Sequence, residues 1–450
     1  MICLTALLLA LPLPPASAQP SDSQPSALRV SANRRFLETA EGKPFFWLGD
    51  TGWLLFHKLT REEAERYLED RRTKGFNVIQ VMVLHTAGAR NAYGKPALVN
   101  GDPARPDLEP GGYWDTVDWM IDKAAEKGIY MALVPAWGSL AGGGQLNQSN
   151  VEAYTRFLAG RYGKRTNIIW LTGGDILGSR HLELWKTMGR TLKEVAPSQL
   201  VTYHPFGRTQ SSTWFHREPW LDFNMYQSGH RRYDQDPTPG AKGEDNWRYT
   251  AEDLALTPPK PTLDGEPSYE RIPQGLHDAR QPLWTDKDVR RYAYWSVFAG
   301  AFGHTYGNGP VMAMTRTDDA KPAYGVRTPW NEAIHDPGAG QMRHLKTLLL
   351  SRPFFERVPD QELVVTNGSR YEYIAATRGA SYAFFYIYAA RPFEVRLGRI
   401  RGSKVRASWL NPRTGETRAV GEFANKGTRQ FTPPGERGPG NDWVLVLDSL

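Results

Sequence analysis

Eight short apolar runs recur along the first two thirds of the sequence, and stretches with helical character separate them. The runs are continuous rather than alternating, which is typical of strands covered on both faces, and strand–helix alternation favours parallel pairing. This pattern predicts an α/β protein with a (β/α)8 TIM barrel. Its eight strands correspond to KPFFWLGD, FNVIQVMVLH, IYMALVPAWG, NIIWLTGGDI, LVTYHPFG, DFNMYQSGH, KPTLDGEP and AFGHTYG.

Two of these runs end in a carboxylate next to glycine. Asp175 ends the fourth run after Gly173 and Gly174, and Glu266 follows Gly265 at the end of the seventh. The active site of such a barrel lies at the carboxyl ends of its strands, and glycine lets backbone and substrate approach closely. Two carboxylates across one crater can cleave a glycosidic bond. The sequence therefore predicts Asp175 and Glu266 as a catalytic pair.

Each carboxylate also has a simpler interpretation. An acidic residue after a strand is often only the N-cap of the next helix. Asp264, inside the seventh run, and Glu270, further along its loop, are alternatives to Glu266. The placement of the pair at strands four and seven favours the catalytic interpretation.

Ten polar or aromatic residues at or near the strand ends are candidates for sugar binding. Their side chains offer hydrogen bonds to sugar hydroxyls and flat apolar faces. The alternative for the rings is core packing, and for the histidines structural pairing. The predicted substrate-binding residues are Asp50, Trp53, His85, Trp137, His204, Tyr226, Gln227, His230, His304 and Tyr306.

Several classes of site are not predicted. The sequence contains no HxH or HExxH motif, so we expect no metal site. It has no glycine-rich phosphate loop after the first run and no GxSxG elbow, and we expect no cofactor. The excess of 55 Lys and Arg over 48 Asp and Glu is spread along the chain, which argues against nucleic acid as a partner. A polyanionic glycan is compatible with this charge.

The N-terminus predicts export. An apolar run from Ile2 to Leu13 is followed by Ala16, Ser17 and Ala18, a small-x-small cleavage pattern. The run is too short to span a bilayer. Residues 1–18 are therefore predicted to be a signal peptide cut after Ala18, and the protein to be secreted or periplasmic. The single cysteine, Cys3, lies inside this peptide, so we expect no disulfide in the mature chain.

The hydrophobic pattern of the sequence changes after the predicted barrel. From about Glu362 onward, short alternating runs are separated by turn residues, which predicts a small all-β sandwich. We predict a barrel domain at residues 19–358 and a β-sandwich domain at residues 359–450.

Five motifs carry a resemblance to a known family. In order, they are GDTGW at 49–53, GGD at 173–175, YQSGH at 226–230, GEP at 265–267 and GHTYG at 303–307. Together they resemble the apiosidase-like glycoside hydrolases, family 140. The resemblance implies a catalytic Asp and Glu, which map onto Asp175 and Glu266. It also implies acid/base chemistry on strand four and a nucleophile on strand seven.

One departure leaves the stereochemistry open. The wider clan of barrel glycosidases commonly has a Glu after Asn on strand four, whereas here Asp175 follows Gly174. The shorter side chain changes the carboxyl separation, and that separation decides between retention and inversion.

The resemblance also implies a substrate and a role for the C-terminal domain. The substrate would be an apiose-containing side chain of pectin, of the rhamnogalacturonan II type. The WLNPRTG turn resembles a C-terminal module named for collagen binding, but the sequence shows no patch suited to a collagen helix, so we expect a structural cap. The alternatives are a non-catalytic glycan- or matrix-binding protein and a barrel glycosidase of another specificity, such as an arabinofuranosidase.

Overall fold

A computed structural model describes residues 25–236 and 240–450. The predicted signal peptide lies outside the described residues. The described chain begins with a small antiparallel sheet, whose strands are β1 (Leu28–Val30), β2 (Leu37–Thr39) and β3 (Pro44–Phe45).

The predicted barrel is confirmed, with one strand in each of the eight apolar runs. All neighbouring strands pair in parallel, in the order β8-β7-β6-β5-β4-β11-β10-β9. The two ends of this sheet meet where the Asp222 N–H donates to the Val201 carbonyl at 2.9 Å. The strands are β4 (Trp47–Thr51), β5 (Val78–Met82), β6 (Tyr130–Val134), β7 (Ile168–Ile176), β8 (Val201–Pro205), β9 (Asn224–Tyr226), β10 (Thr262–Asp264) and β11 (Gly303–Tyr306).

Helices cover the outside of the barrel, and those of the first and seventh repeats begin with a capping box, at Thr60 with Glu63 and at Thr285 with Asp288. Within the described residues no helix combines the length and apolarity that a bilayer crossing requires. The helices are α1 (Leu55–Lys58), α2 (Arg61–Thr73), α3 (Tyr113–Glu126), α4 (Gly138–Gly142), α5 (Val151–Tyr162), α6 (Leu182–Val195), α7 (Ser212–Phe215), α8 (Trp247–Leu254), α9 (Asp286–Phe298), α10 (Gly309–Met312), α11 (Trp330–Ala333) and α12 (Pro337–Leu350).

The C-terminal part is all β, as predicted. A six-stranded antiparallel sheet in the order β12-β13-β14-β19-β16-β17 packs against the two-stranded sheet β15-β18, with Phe385, Phe393 and Leu445 in the core between them. The strands are β12 (Val358–Pro359), β13 (Ile374–Arg378), β14 (Tyr382–Ile387), β15 (Phe393–Arg396), β16 (Lys404–Leu410), β17 (Thr417–Ala424), β18 (Thr428–Phe431) and β19 (Trp443–Ser449).

The other face of the six-stranded sheet packs on the barrel. Side chains of a strand alternate between its faces, so Phe385 enters the domain's own core while its neighbour Tyr386 faces helix α9. There the Tyr386 ring stacks on Tyr294, with centroids 4.6 Å apart. Nearly every residue of α9 is buried as a result.

A buried ion pair joins α9 to the C-terminal sheet. Arg290 donates from Nε and Nη2 to the two oxygens of Asp442, at 2.9 and 3.0 Å. Asp442 also accepts from the Tyr386 hydroxyl at 2.9 Å. Both charged side chains are almost fully buried.

We expect Asp442→Asn to lower the free energy of unfolding by about 3 to 5 kcal/mol, because it leaves the buried Arg290 charge without its main partner. Denaturant unfolding followed by tryptophan fluorescence measures this. Asp448→Asn is the matched control, since Asp448 pairs with Arg352 across the same domain boundary while both side chains are about one third exposed, 30% and 31%. That change should cost no more than about 1 kcal/mol. Equal losses for the two variants would contradict the role of the Arg290–Asp442 pair.

Candidate active site

A bulge at the end of β7 places Asp175. The register between β7 and β8 shifts between Gly173 and Ile176, and Gly173, Gly174 and Asp175 have φ values of +90°, +104° and +52°. Glycine adopts this left-handed region readily, whereas other residues rarely do. The bulge takes Asp175 out of the ladder and turns its side chain toward the mouth of the barrel.

The two glycines are also required by close contacts. A Cβ atom on Gly173 would lie 2.6 Å from the His204 carbonyl oxygen, and one on Gly174 would lie 2.7 Å from the Trp137 ring. The Tyr203 hydroxyl then donates to the Ile176 carbonyl at 2.8 Å, which supports the end of the bulge. The GGD motif therefore encodes a specific local geometry.

Glu266 lies on the turn after β10 and is buried between two histidines. His230 Nε2 is 3.0 Å from Oε1, and His204 Nε2 is 3.1 Å from Oε2. The His204 contact has an ion-pair distance, although its angle does not suit a hydrogen bond. Burial alone would raise the pKa of Glu266, but the two histidines more than offset it and lower the pKa to about 2. Glu266 is therefore ionised over the ordinary pH range.

Asp175 has the opposite tendency. Its side chain is open to the pocket, yet protein atoms enclose it on most sides. This enclosure, followed by the negative charge of Glu266, raises the pKa of Asp175 to about 6. One carboxyl that keeps its proton beside one that stays ionised is the arrangement that acid and nucleophile roles require.

Both carboxylates line one pocket, which encloses about 140 Å³. Gln227 and His230, two of the predicted substrate-binding residues, line it as well. The remaining lining residues are Phe206, Gly207, Arg208, Gly229, Arg231, Gly275, Leu276, His277 and Tyr324.

Three further predicted residues lie together beside this pocket. The Trp53 ring is 5.2 Å from the Trp137 ring and 5.3 Å from the His204 ring, and Trp137 packs against Gly174. Trp137 is half-buried, whereas Trp53 and His204 are buried. His204 therefore links this group of rings to Glu266, Trp137 links it to the glycine before Asp175, and Trp137 is the one of the three that is partly exposed.

His85 is half-buried and packs on another histidine. Its ring centroid lies 4.2 Å from that of His57, and burial lowers the pKa of both imidazoles. His85 does not line the pocket of Asp175 and Glu266.

Four predicted binding residues point away from the pocket, so the prediction that they contact the sugar was wrong. Asp50 is fully buried. Its Oδ2 accepts hydrogen bonds from two residues of helix α2, the Tyr67 hydroxyl and Arg71 Nε, both at 2.6 Å. The Tyr226 hydroxyl lies 2.6 Å from the hydroxyl of Thr250 in helix α8. These side chains stand on the outer face of their strands, because alternation sends every second residue toward the helices.

His304 and Tyr306 share this outward orientation. His304 Nδ1 lies 3.4 Å from the Ser296 hydroxyl in helix α9, and the Tyr306 hydroxyl donates to Glu270 Oε2 at 2.6 Å. Both residues are buried. His304 thus links its strand to helix α9, and Tyr306 links it to the loop after β10 that carries Glu270.

The two alternatives to Glu266 are also occupied elsewhere. Asp264 accepts from the Ser228 hydroxyl at 2.6 Å and from Asn246 Nδ2 at 2.9 Å. Glu270 is bonded to Tyr306. Neither carboxylate lines the pocket, so Glu266 is the carboxylate of this loop that shares the pocket with Asp175.

Sequence reasoning missed the loop residues of the pocket. Phe206, Arg208, Arg231, His277 and Tyr324 lie beyond the strand ends on which the prediction was based. Tyr324 has a φ of +53°, and burial followed by the charges of Glu266 and Asp175 raises its pKa to about 12. Its hydroxyl is therefore a hydrogen-bond donor at ordinary pH, near both carboxylates.

The charged groups of the pocket do not form a metal site. Across residues 25–236 and 240–450, no group of three or more His, Cys, Asp and Glu side chains has an arrangement that could hold a metal ion.

Comparison with known proteins places the chain in a family. A family model described as "Apiosidase-like, catalytic domain" matches residues 31–356. A second, described as "Putative collagen-binding domain of a collagenase", matches residues 358–448. No curated protein matches the chain.

Two solved structures agree with this family. A protein named glycoside hydrolase is 46% identical, with 94% of this chain and 97% of that chain covered and a TM-score of 0.91. A glycoside hydrolase family 5 protein from Bacteroides vulgatus is 42% identical, with 94% of each chain covered and a TM-score of 0.91. Fold and similarity together define a barrel glycoside hydrolase. The chain belongs to the apiosidase-like family.

We expect Gly173→Ala to lower kcat/KM by about a hundredfold, because the new Cβ displaces the bulge and Asp175 with it. Gly142→Ala is the control, since a Cβ there meets nothing within 4 Å. Steady-state kinetics of both variants, with thermal melting beside them, make the comparison. A fully active Gly173→Ala variant would show that the bulge is not needed to place Asp175.

Proposed function

We propose that this protein is an exported glycoside hydrolase that cleaves an apiose-containing side chain of a pectic polysaccharide, with Asp175 and Glu266 as its catalytic pair. One observation carries the assignment of the pair. The two carboxylates line one pocket, while the pKa of Glu266 is lowered to about 2 and that of Asp175 is raised to about 6. The family supplies the expected sugar.

In this proposal Glu266 attacks the anomeric carbon while Asp175 gives its proton to the leaving oxygen. The bond to the leaving group breaks, and a covalent ester links the sugar to Glu266. Asp175, now ionised, takes a proton from a water molecule that attacks the same carbon and releases the sugar. Glu266 is then free, and Asp175 is protonated again.

Other residues of the pocket have the chemistry to hold the sugar. The Oε1 atom of Gln227 is buried without a hydrogen-bond partner in the described structure, and the Tyr324 hydroxyl is a donor beside the carboxylates. Such groups suit sugar hydroxyls. Arg231 adds a positive charge to the lining, which favours a substrate with acidic sugars nearby, while the guanidinium of Arg208 is paired with Asp236 at 2.9 Å.

The direct test is hydrolysis of a panel of pectic oligosaccharides by the purified protein, with the released sugar identified by mass spectrometry and chromatography. We expect release at an apiose linkage by the wild type and none by Glu266→Gln. Release of arabinose instead would assign an arabinofuranosidase. Tight binding of the oligosaccharides without any cleavage would favour the non-catalytic glycan-binding alternative.

The acid role of Asp175 predicts a dependence on the leaving group. Asp175→Ala should retain most activity on aryl glycosides with good leaving groups and lose about a hundredfold or more on those that need protonation. Comparing kcat/KM across a series of leaving groups measures this. Equal losses on both kinds of substrate would assign a different role to Asp175.

The pKa shifts predict a bell-shaped pH profile. The rate kcat/KM should fall as the pH rises through about 6, where Asp175 loses its proton, and at the acid end as Glu266 is protonated. His230→Ala removes a contact that stabilises the Glu266 carboxylate, so its acid limb should move to higher pH. We also expect the kcat/KM of His230→Ala to be about tenfold to a thousandfold lower than that of the wild type.

The exposed His335 provides the control for this experiment. His335→Ala should keep both limbs of the profile. An acid limb that does not move in His230→Ala would show that His230 leaves the ionisation of Glu266 unaffected.

A further inference from the structure

A buried carboxylate, Glu244, links the C-terminal domain to the segment that borders the pocket. This side chain is fully buried and has three partners from different parts of the chain. Its Oε2 accepts from Arg291 Nη2 at 2.5 Å, and its Oε1 accepts from the Tyr371 hydroxyl at 2.8 Å and from the Tyr233 N–H at 3.2 Å. Arg291 belongs to barrel helix α9, whereas Tyr371 belongs to the C-terminal domain.

Aromatic rings fix the position of Arg291. The guanidinium is fully buried, and four rings lie within 4.9 to 5.1 Å of it, a distance at which each ring attracts a cation. Two rings come from α9 itself and two from the C-terminal domain; they are Tyr292, Trp295, Tyr371 and Tyr388.

Tyr233 connects Glu244 and Arg291 to the pocket. It follows His230 and Arg231, which line the pocket, within three residues. Its ring also contacts the C-terminal domain directly, since Tyr371 packs edge-on at 5.6 Å and the Arg370 guanidinium lies 5.0 Å from its centroid.

The same segment holds the neighbouring part of the pocket. Arg232 Nη1 donates to Gln274 Oε1 at 2.9 Å and to Gln281 Oε1 at 3.1 Å, and the Gly275 N–H donates to the His230 carbonyl at 2.8 Å. We call residues 229–236 and 274–281 the pocket wall.

We propose that Tyr371 is a positioning residue, through which the C-terminal domain holds the pocket wall in its working geometry. The domain then takes part in catalysis as well as covering α9. The Tyr371 hydroxyl does not reach the pocket, and acts through Glu244 and Tyr233. The inference rests on the proposed function, because it takes the pocket as the place of reaction.

The test compares two tyrosines of the full-length protein. Tyr371→Phe keeps the ring beside Arg291 and removes only the hydroxyl that donates to Glu244. Tyr373→Phe is the matched control, because Tyr373 lies two residues away and its ring stacks on Trp247 at 4.4 Å, while its hydroxyl has no hydrogen bond in the described residues.

We expect Tyr371→Phe to raise KM about fivefold or more and to change kcat less. Its Tm should be nearly that of the wild type, and the kinetics are measured well below that temperature. Hydrogen–deuterium exchange should be faster in peptides covering 229–236 and 274–281 than in the wild type. Tyr373→Phe should leave KM and the exchange of both peptides unchanged.

Exchange does not depend on substrate, so it separates the two proposals. If no pectic glycan is cleaved but exchange of the wall rises in Tyr371→Phe alone, the positioning stands and the proposed substrate fails. If the wild type is active and Tyr371→Phe changes neither KM nor wall exchange, or changes them no more than Tyr373→Phe, the positioning role is overturned.

Discussion

The contact of Glu266 with two histidines is the interaction on which the candidate active site depends. A buried carboxylate is costly unless it is paired, and here His204 and His230 supply the pairing from the ends of neighbouring strands β8 and β9. The charge that they hold in place then acts on Asp175, whose pKa it helps to raise. The Glu266 carboxylate therefore adds to the effect of enclosure, which is the larger cause of the raised pKa of Asp175.

The barrel needs the C-terminal domain for a related reason. Helix α9 carries Arg290 and Arg291 beside large aromatic rings, and no one side of it is polar enough to face water. The six-stranded sheet covers the rings, and Asp442 neutralises Arg290. Since removing one partner of a buried pair is far more damaging than losing a surface pair, the two domains are expected to form one cooperative unit.

The barrel and the positions of Asp175 and Glu266 at its strand ends could be predicted from sequence because their signals are local. Continuous apolar runs mark the strands, and the glycines before Asp175 mark the bulge that presents it. The sequence could not predict on which face of their strands four side chains lie, because runs that are apolar at every position do not reveal which residues point inward. These residues are Asp50, Tyr226, His304 and Tyr306. Tyr324 and His277 lie on loops whose course is set by tertiary contacts, so no local sequence pattern predicts that they line the pocket.

Two buried carboxyl groups outside the pocket make the free energy of unfolding depend on pH in the range where Asp175 titrates. Burial raises the pKa of Asp253 to about 6 and that of Asp264 to about 7. A carboxyl with a raised folded pKa binds its proton more tightly when folded, so its contribution is most favourable below about pH 4 and falls as the pH rises toward 6 or 7. Asp175 is protonated over the same acidic range. Glu266, whose pKa is lowered, has the opposite sign and loses its contribution only as the pH falls toward 2. Asp253, Asp264 and the proposed acid catalyst therefore favour a mildly acidic medium for the same reason, the enclosure of carboxyl groups by protein, whereas the imidazoles of His57 and His304, whose pKa burial lowers to about 3, have the opposite sign.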